Sequence, residues 1–219
     1  MTAEIRINRA HYPVTVLGPG RRIGIWLQGC SIGCPDCLSK DTWSTDAGNL
    51  MDISRLVDWC RQYEAQGVDG ITISGGEPFE QPEALEVLLR QLHAWTDRMS
   101  TSVDYLCYSG NHFRLIQEKY PHILSFLDTI IPEPFNVDLT GKPLRGSANQ
   151  PVIHLTELGV SRFADLVDES PSEYGKRMQF TFEGNTVWFI GIPERGDMER
   201  MVELCKAQGL YLKNVSWES

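Results

Sequence analysis

Residues 23–37 read Ile-Gly-Ile-Trp-Leu-Gln-Gly-Cys-Ser-Ile-Gly-Cys-Pro-Asp-Cys. A Gly18-Pro19-Gly20 turn precedes this stretch. The short apolar run at 23–28, entered from a turn, predicts a buried strand. Cys30, Cys34 and Cys37 follow at once, spaced C-x3-C-x2-C. A cysteine loop that leaves the end of a buried strand points to an α/β fold, whose sites gather at the C-terminal ends of parallel strands.

The pattern repeats outward from there. Ile53, Leu56, Val57 and Cys60 recur at helical spacing within 52–66, and Gly67 ends that helix. Residues 70–74 predict a second strand, and Gly75 and Gly76 open the loop after it. Residues 81–97 predict a helix, with Pro82 early in it and Leu85, Leu88, Leu89 and Leu92 on one face. A strand at 103–108, a helix at 111–120 and further strands at 128–132 and 151–155 complete the alternation. Repeated strand–helix units predict a parallel sheet with helices outside it. The tail differs. Residues 179–182 and 187–190 flank Glu183-Gly184-Asn185-Thr186, a hairpin signal, and a helix at 196–208 and a strand near 210–217 are expected after it. This divides the chain into a main domain, 1–171, and a small β-β-α-β appendage, 172–219.

The chain has 219 residues, 42% hydrophobic and 22% charged, which suits one globular domain with a small addition. Its net charge of −9 works against nucleic acid or an anionic membrane as partner. It contains no apolar run of membrane-spanning length, and its N-terminus lacks the apolar core of a signal peptide. A cytoplasmic protein is expected.

Six cysteines stand at 30, 34, 37, 60, 107 and 205. A secreted disulfide scaffold is shorter and denser in cysteine. Three clustered cysteines in a reducing compartment indicate a metal centre. Zinc normally takes four ligands, and Cys60 or Cys107 could complete such a site. A cubane held by three thiolates instead leaves one iron without a protein ligand, where an amino and carboxylate group can chelate. Ser31 and Gly33 let the loop wrap closely.

Several further motifs carry a family resemblance. Gly18-Pro19-Gly20-Arg21-Arg22, the strand, Gln28-Gly29 with the three cysteines, and Thr42-Trp43 together resemble the opening of radical S-adenosylmethionine (SAM) activating enzymes. The nearest likeness is to the activases of anaerobic, class III ribonucleotide reductases. Ser74-Gly75-Gly76-Glu77-Pro78 stands where that family has its SAM-binding Gly-Gly-Glu-Pro motif. Tyr108-Ser109-Gly110 and the run Leu144-Arg145-Gly146-Ser147-Ala148-Asn149-Gln150 are similar too. The resemblance spans roughly residues 5–155. It implies a partial (β/α) barrel of parallel strands, a 4Fe-4S cluster on Cys30, Cys34 and Cys37, and SAM as second cofactor. Gly75 and Gly76 would let backbone amides approach SAM, with Glu77 a polar partner or a brace and Ser109 a contact to its ribose or carboxylate. Asp36 takes the position that touches the adenine, usually aromatic, apolar or Gly, and Leu38 replaces the usual His after the third cysteine. Leu17 stands where an acidic residue is usual.

The chemistry so implied is reductive cleavage of SAM to a 5′-deoxyadenosyl radical that abstracts hydrogen. The expected target is a backbone glycine of a glycyl radical enzyme subunit, with flavodoxin or ferredoxin as electron donor. Direct radical modification of a small molecule or peptide is the alternative. Arg145 could pair with a substrate carboxylate or phosphate. Cys60, Cys107 and Cys205 read as small buried hydrophobes. The histidines have no ligand spacing.

Overall fold

The structure, a computed structural model, describes residues 3–168, 178–184, 186–213 and 215. It is an α/β fold around a seven-stranded mixed sheet. The strands are β1 (Glu4–Val14), β2 (Arg22–Leu27), β3 (Asn49–Asp52), β4 (Gly70–Gly75), β5 (Asp104–Tyr108), β6 (Thr129–Ile131) and β7 (Ile153–His154), in the spatial order β3-β1-β2-β4-β5-β6-β7. The four central strands β2, β4, β5 and β6 run parallel. The flanks are antiparallel: β1 pairs with both β2 and β3, and β7 pairs with β6.

Helices join the parallel strands. α1 (Ile53–Arg61) is capped by the Asp52 carboxylate, which accepts from the Ser54 amide at 2.7 Å. α2 (Pro82–Thr96) begins with proline, whose missing N–H is no loss in a first turn. α3 (Phe113–Lys119) and α4 (Pro121–Leu124) follow β5, and α5 (Glu157–Asp168) follows β7. Side chains alternate through the sheet as the pleat requires. Ile23, Ile25, Leu27, Ile71, Ile73, Tyr105 and Cys107 pack on the buried leucines of α1 and α2. Trp26 and Leu106 point the other way and join separate apolar clusters, one including Leu17, the other Phe163 of α5.

On that second face Arg22 and Asp104 form a fully buried ion pair, 2.6 Å between Nη2 and Oδ1 and 3.0 Å between Nη1 and Oδ2. Arg22 Nε also donates to Thr72 Oγ1 at 2.7 Å. One side chain therefore ties β2, β4 and β5 at their N-terminal ends. Gly70 is needed beside it, since a Cβ there would stand 2.2 Å from the guanidinium.

The expected hairpin is present as β8 (Met178–Glu183) and β9 (Thr186–Gly191), and α6 (Asp197–Ala207) follows. The hairpin rests on the end of β1 and the residue after it: Gln179 Nε2 donates to the Pro13 carbonyl at 2.7 Å, and its Oε1 accepts from the Thr15 amide at 3.0 Å. The strand expected near 210–217 is absent at 210–213 and 215. Gly209, at φ 76°, closes α6 in a left-handed turn with the Leu210 amide bonded back to Cys205, and Leu210 and Tyr211 are exposed. The rest of that span, and the expected division at 171/172, lie outside the described residues. The helix expected over 52–66 breaks after Arg61 into a short 3-10 turn at Glu64–Gln66.

Candidate functional site

The loop after β2 carries the three expected cysteines, all free thiols and half-buried. Its base is closed by backbone bonds: the Gly29 amide donates to Thr42 at 2.7 Å and the Cys30 amide to Trp43 at 3.0 Å. Buried Gln28 reinforces the closure, donating through Nε2 to the carbonyls of Asp41 and Ser44. Asp36 adopts φ 55° and Gly33 φ 61°, so the loop turns sharply within the cysteine run. Asp tolerates this left-handed conformation better than most residues.

The loop after β4 lies directly against the cysteine loop. A Cβ on Gly76 would stand 2.1 Å from the Gly29 carbonyl oxygen, and one on Gly75, at φ 107°, only 2.3 Å from the Leu27 nitrogen. The Gly76 amide donates to Leu27 at 2.8 Å and the Glu77 amide to Gly29 at 2.7 Å. These two amides hold the loops together. The two glycines thus let the loops touch.

Glu77 is almost fully buried. Its carboxylate accepts from the Phe79 amide at 3.0 Å, the Gly110 amide at 2.7 Å and the Ser109 hydroxyl at 2.9 Å. Of its two expected roles it fills that of a brace, tying the β4 loop to the β5 loop. Ser109 donates its hydroxyl to Glu77 and accepts from the Asn111 amide. Burial pushes the Glu77 carboxyl above its ordinary range, and these hydrogen bonds oppose the shift.

Cys30, Cys34, Cys37, Asp36, Leu38, Gly75, Gly76, Glu77 and Ser109 all border one cavity of about 930 Å³ at the C-terminal ends of the parallel strands. That is the upper end of ordinary ligand-pocket volumes. Residues 189–199, from β9 to the start of α6, form its far wall. Arg145 does not reach it; buried in its own turn, it donates through Nε to the Pro143 carbonyl at 3.2 Å. Cys60 and Cys107 are sealed in the apolar core, with Cys107's thiol pushed far up by burial. The sequence reading quoted Gln28 only as part of a motif, without this closing role, and missed Glu80 and Phe135. Glu80 accepts from the Ser31 amide of the cysteine loop at 2.5 Å. Its place three residues after Glu77 was the available signal.

The donor set fits an iron–sulfur cluster. Burial raises the thiol pKa of Cys30 and Cys34, while backbone amides of Ile32 and Gly33 favour the Cys30 thiolate and that of Phe135 the Cys34 thiolate. The Ser39 amide donates to Cys37 Sγ at 3.4 Å. Cys37 Sγ therefore accepts from a backbone N–H, the kind of contact that tunes cluster thiolates. Among the described residues, no three His, Cys, Asp or Glu side chains converge on a single-ion site. A cubane holds its ligands farther apart, at separate corners.

A mixed α/β sheet, parallel at its centre, with a three-cysteine loop at its strand ends defines a single-cluster iron–sulfur protein. The family model described as a 4Fe-4S single cluster domain matches residues 16–153, and the chain belongs to that family. It is 27% identical over 136 residues to the anaerobic ribonucleoside-triphosphate reductase-activating protein of Enterobacteria phage T4, a match over 62% of this chain and 85% of that one. It is 32% identical over 139 residues to the pyruvate formate-lyase-activating enzyme of Staphylococcus epidermidis and 30% over 140 residues to that of Staphylococcus aureus. Each of these two matches covers 59% of this chain and 55% of the relative, so the chain spans just over half their length. No helix among the described residues is long and apolar enough to cross a membrane.

Proposed function

We propose that the chain is a radical SAM activating enzyme that installs a radical on a backbone glycine of a partner glycyl radical enzyme. One observation carries the reading: the cysteine loop and the Gly-Gly-Glu-Pro loop are bolted to each other across Gly76 and Gly29 at the rim of one cavity. The names of the activating relatives support it.

When bound, the cluster and SAM would together supply one-electron cleavage of the sulfonium and a carbon radical for hydrogen abstraction. The chain's residues do the remaining work. Cys30, Cys34 and Cys37 would hold the cluster. Glu77 and Gly76 fix the second loop against the first, and Asp36, Leu38 and Ser109 border the space for the nucleoside and methionyl parts. We further read residues 1–171 as a partial (β/α) barrel, supported by the helix-covered outer face and the cavity beyond the strand ends. Residues 172–219 form its appendage. A soluble cytoplasmic setting with a flavodoxin or ferredoxin donor, and neither nucleic acid nor membrane as partner, completes the proposal.

The wall formed by 189–199 deepens the cavity. This favours, as a second reading, direct modification of a small molecule or peptide. Anaerobically reconstituted protein with dithionite and SAM is expected to release 5′-deoxyadenosine, and Cys34→Ala to abolish release. A glycine-centred EPR signal on the partner subunit supports the first reading. Its absence, together with a small molecule that speeds SAM cleavage, would replace it with the second.

A further inference from the structure

A carboxylate from the β4 loop reaches into the run between Cys30 and Cys34. Glu80 ends the short 3-10 turn Pro78–Glu80, and its Oε1 accepts from the Ser31 amide at 2.5 Å. Its Oε2 lies by Gly29, where an added Cβ would stand 3.5 Å away. The carboxylate thus touches the chain on both sides of Cys30. The turn that carries it is firmly seated. The Glu77 carboxylate accepts from the Phe79 amide at 3.0 Å, the Glu80 amide donates to the Glu77 carbonyl at 3.1 Å, and the Phe79 ring is buried in the main core. Gln81, the next residue, donates through Nε2 to the carbonyls of Arg6 at 2.9 Å and Gln28 at 3.1 Å, which fastens it to β1 and to the end of β2.

Glu80 therefore brings a negative charge to the cysteine loop from a rigid support. Among the described residues no cation forms an ion pair with it. Standard bond lengths, taken from the bonded Ser31 nitrogen, place the Cys30 Cα within about 5 Å of Oε1 and the Cys30 sulfur within about 8 Å. Salt screens charge over about 8 Å, so the field of this half-buried carboxylate still acts at that sulfur. Glu77, the other acid of the turn, differs. Its oxygens are taken up by Phe79, Ser109 and Gly110 in the β4 and β5 loops.

We infer that Glu80 is a positioning residue that pins the Cys30 side of the cysteine loop through the Ser31 amide and, by its negative charge there, lowers the reduction potential of the cluster. Local charge is one of the levers that set iron–sulfur potentials. A fixed anion opposes the arrival of an electron nearby. A cluster that is harder to reduce is, once reduced, the stronger donor toward a sulfonium. The inference rests on the cluster reading of the site and adds to it a control seated in the second loop.

Two measurements on the full-length protein test this: redox titration of the reconstituted form, followed by EPR of the reduced cluster, and amide hydrogen exchange at Ser31 in the iron-free form. Glu80→Gln keeps an oxygen within reach of the Ser31 amide and removes the charge. Glu80→Ala removes both. Glu83→Gln, on the exposed side of the first turn of α2, removes an equal charge that does not touch the cysteine loop. Iron content and thermal unfolding are measured on each variant to separate altered potential from lost fold. Glu80→Gln and Glu80→Ala are expected to raise the reduced-to-oxidised ratio roughly tenfold at fixed poise, about 59 mV for one electron. Glu83→Gln is expected to stay close to the parent. Ser31 exchange is expected to quicken roughly tenfold in Glu80→Ala, the worth of a hydrogen bond to a charged group, and less in Glu80→Gln. Should Glu80→Gln fail to load its cluster, Glu80→Ala carries the titration. Cluster-loaded Glu80 variants at the parent potential overturn the charge effect, as does Glu83→Gln matching Glu80→Gln. Ser31 exchange unchanged in Glu80→Ala overturns the pin. Failure of the parent protein to assemble any cluster overturns the cluster reading itself, and the exchange measurement still decides the pin.

Discussion

Glu77 shows how one buried side chain organises the site. Three protein donors converge on its carboxylate from the β4 and β5 loops. Its raised pKa has a definite consequence for stability. The folded chain takes up this proton more readily than the unfolded chain does. Stability therefore falls as pH rises from the ordinary carboxylate range through the folded pKa. Glu77→Gln removes that dependence and presents an NH₂ group to other donors, at a cost of about 1–3 kcal/mol. Urea unfolding at several pH values checks both effects; an unchanged pH slope in the variant would assign the dependence elsewhere. Glu77 was legible in the sequence as a polar partner or a brace, but the groups it braces were not, because Ser109 and Gly110 lie over thirty residues away. The same distance hid Glu80 and Phe135, whose contacts form only when separate strand-end loops meet.

At the scale of elements, the parallel strands were readable because both of their faces are buried, which leaves continuous apolar runs. β1 escaped notice for the opposite reason. Only Ile5 and Ile7 of its first residues are buried, and polar side chains alternate with them. β7 was placed correctly, but its direction was not, since two residues carry no mark of orientation. Arg21-Arg22 read only as part of a motif, yet Arg22 proved to be a fully buried tie across β2, β4 and β5. Asp104→Ala leaves that guanidinium buried without its partner, and a loss of about 3–5 kcal/mol is expected in equilibrium unfolding. The paired change Arg22→Met with Asp104→Leu is expected to recover most of it, because no unpaired charge remains. Equal losses in the single and double variants would show that shape, not charge pairing, matters there.

Across the whole molecule, the appendage is joined to the sheet near the cavity. The Arg9 guanidinium lies 4.7 Å from the Trp188 ring centre of β9 and also bonds Asp41 at 2.9 Å, just beyond the cysteine loop. Trp188→Ala removes a cation–π contact worth about 0.5–2 kcal/mol. It is expected to speed hydrogen exchange in β8 and β9 while leaving β4 and β5 unchanged. A uniform acceleration would mean that hairpin and sheet open as one unit. The cysteine loop behaves differently from such a joint. Its base is tied by main-chain bonds at Gly29 and Cys30 and by the Gln28 amide, with no sulfur in the knot. Oxidative loss of iron therefore empties the snare without untying it, and repair becomes the refilling of a standing scaffold instead of a fresh passage through the denatured chain.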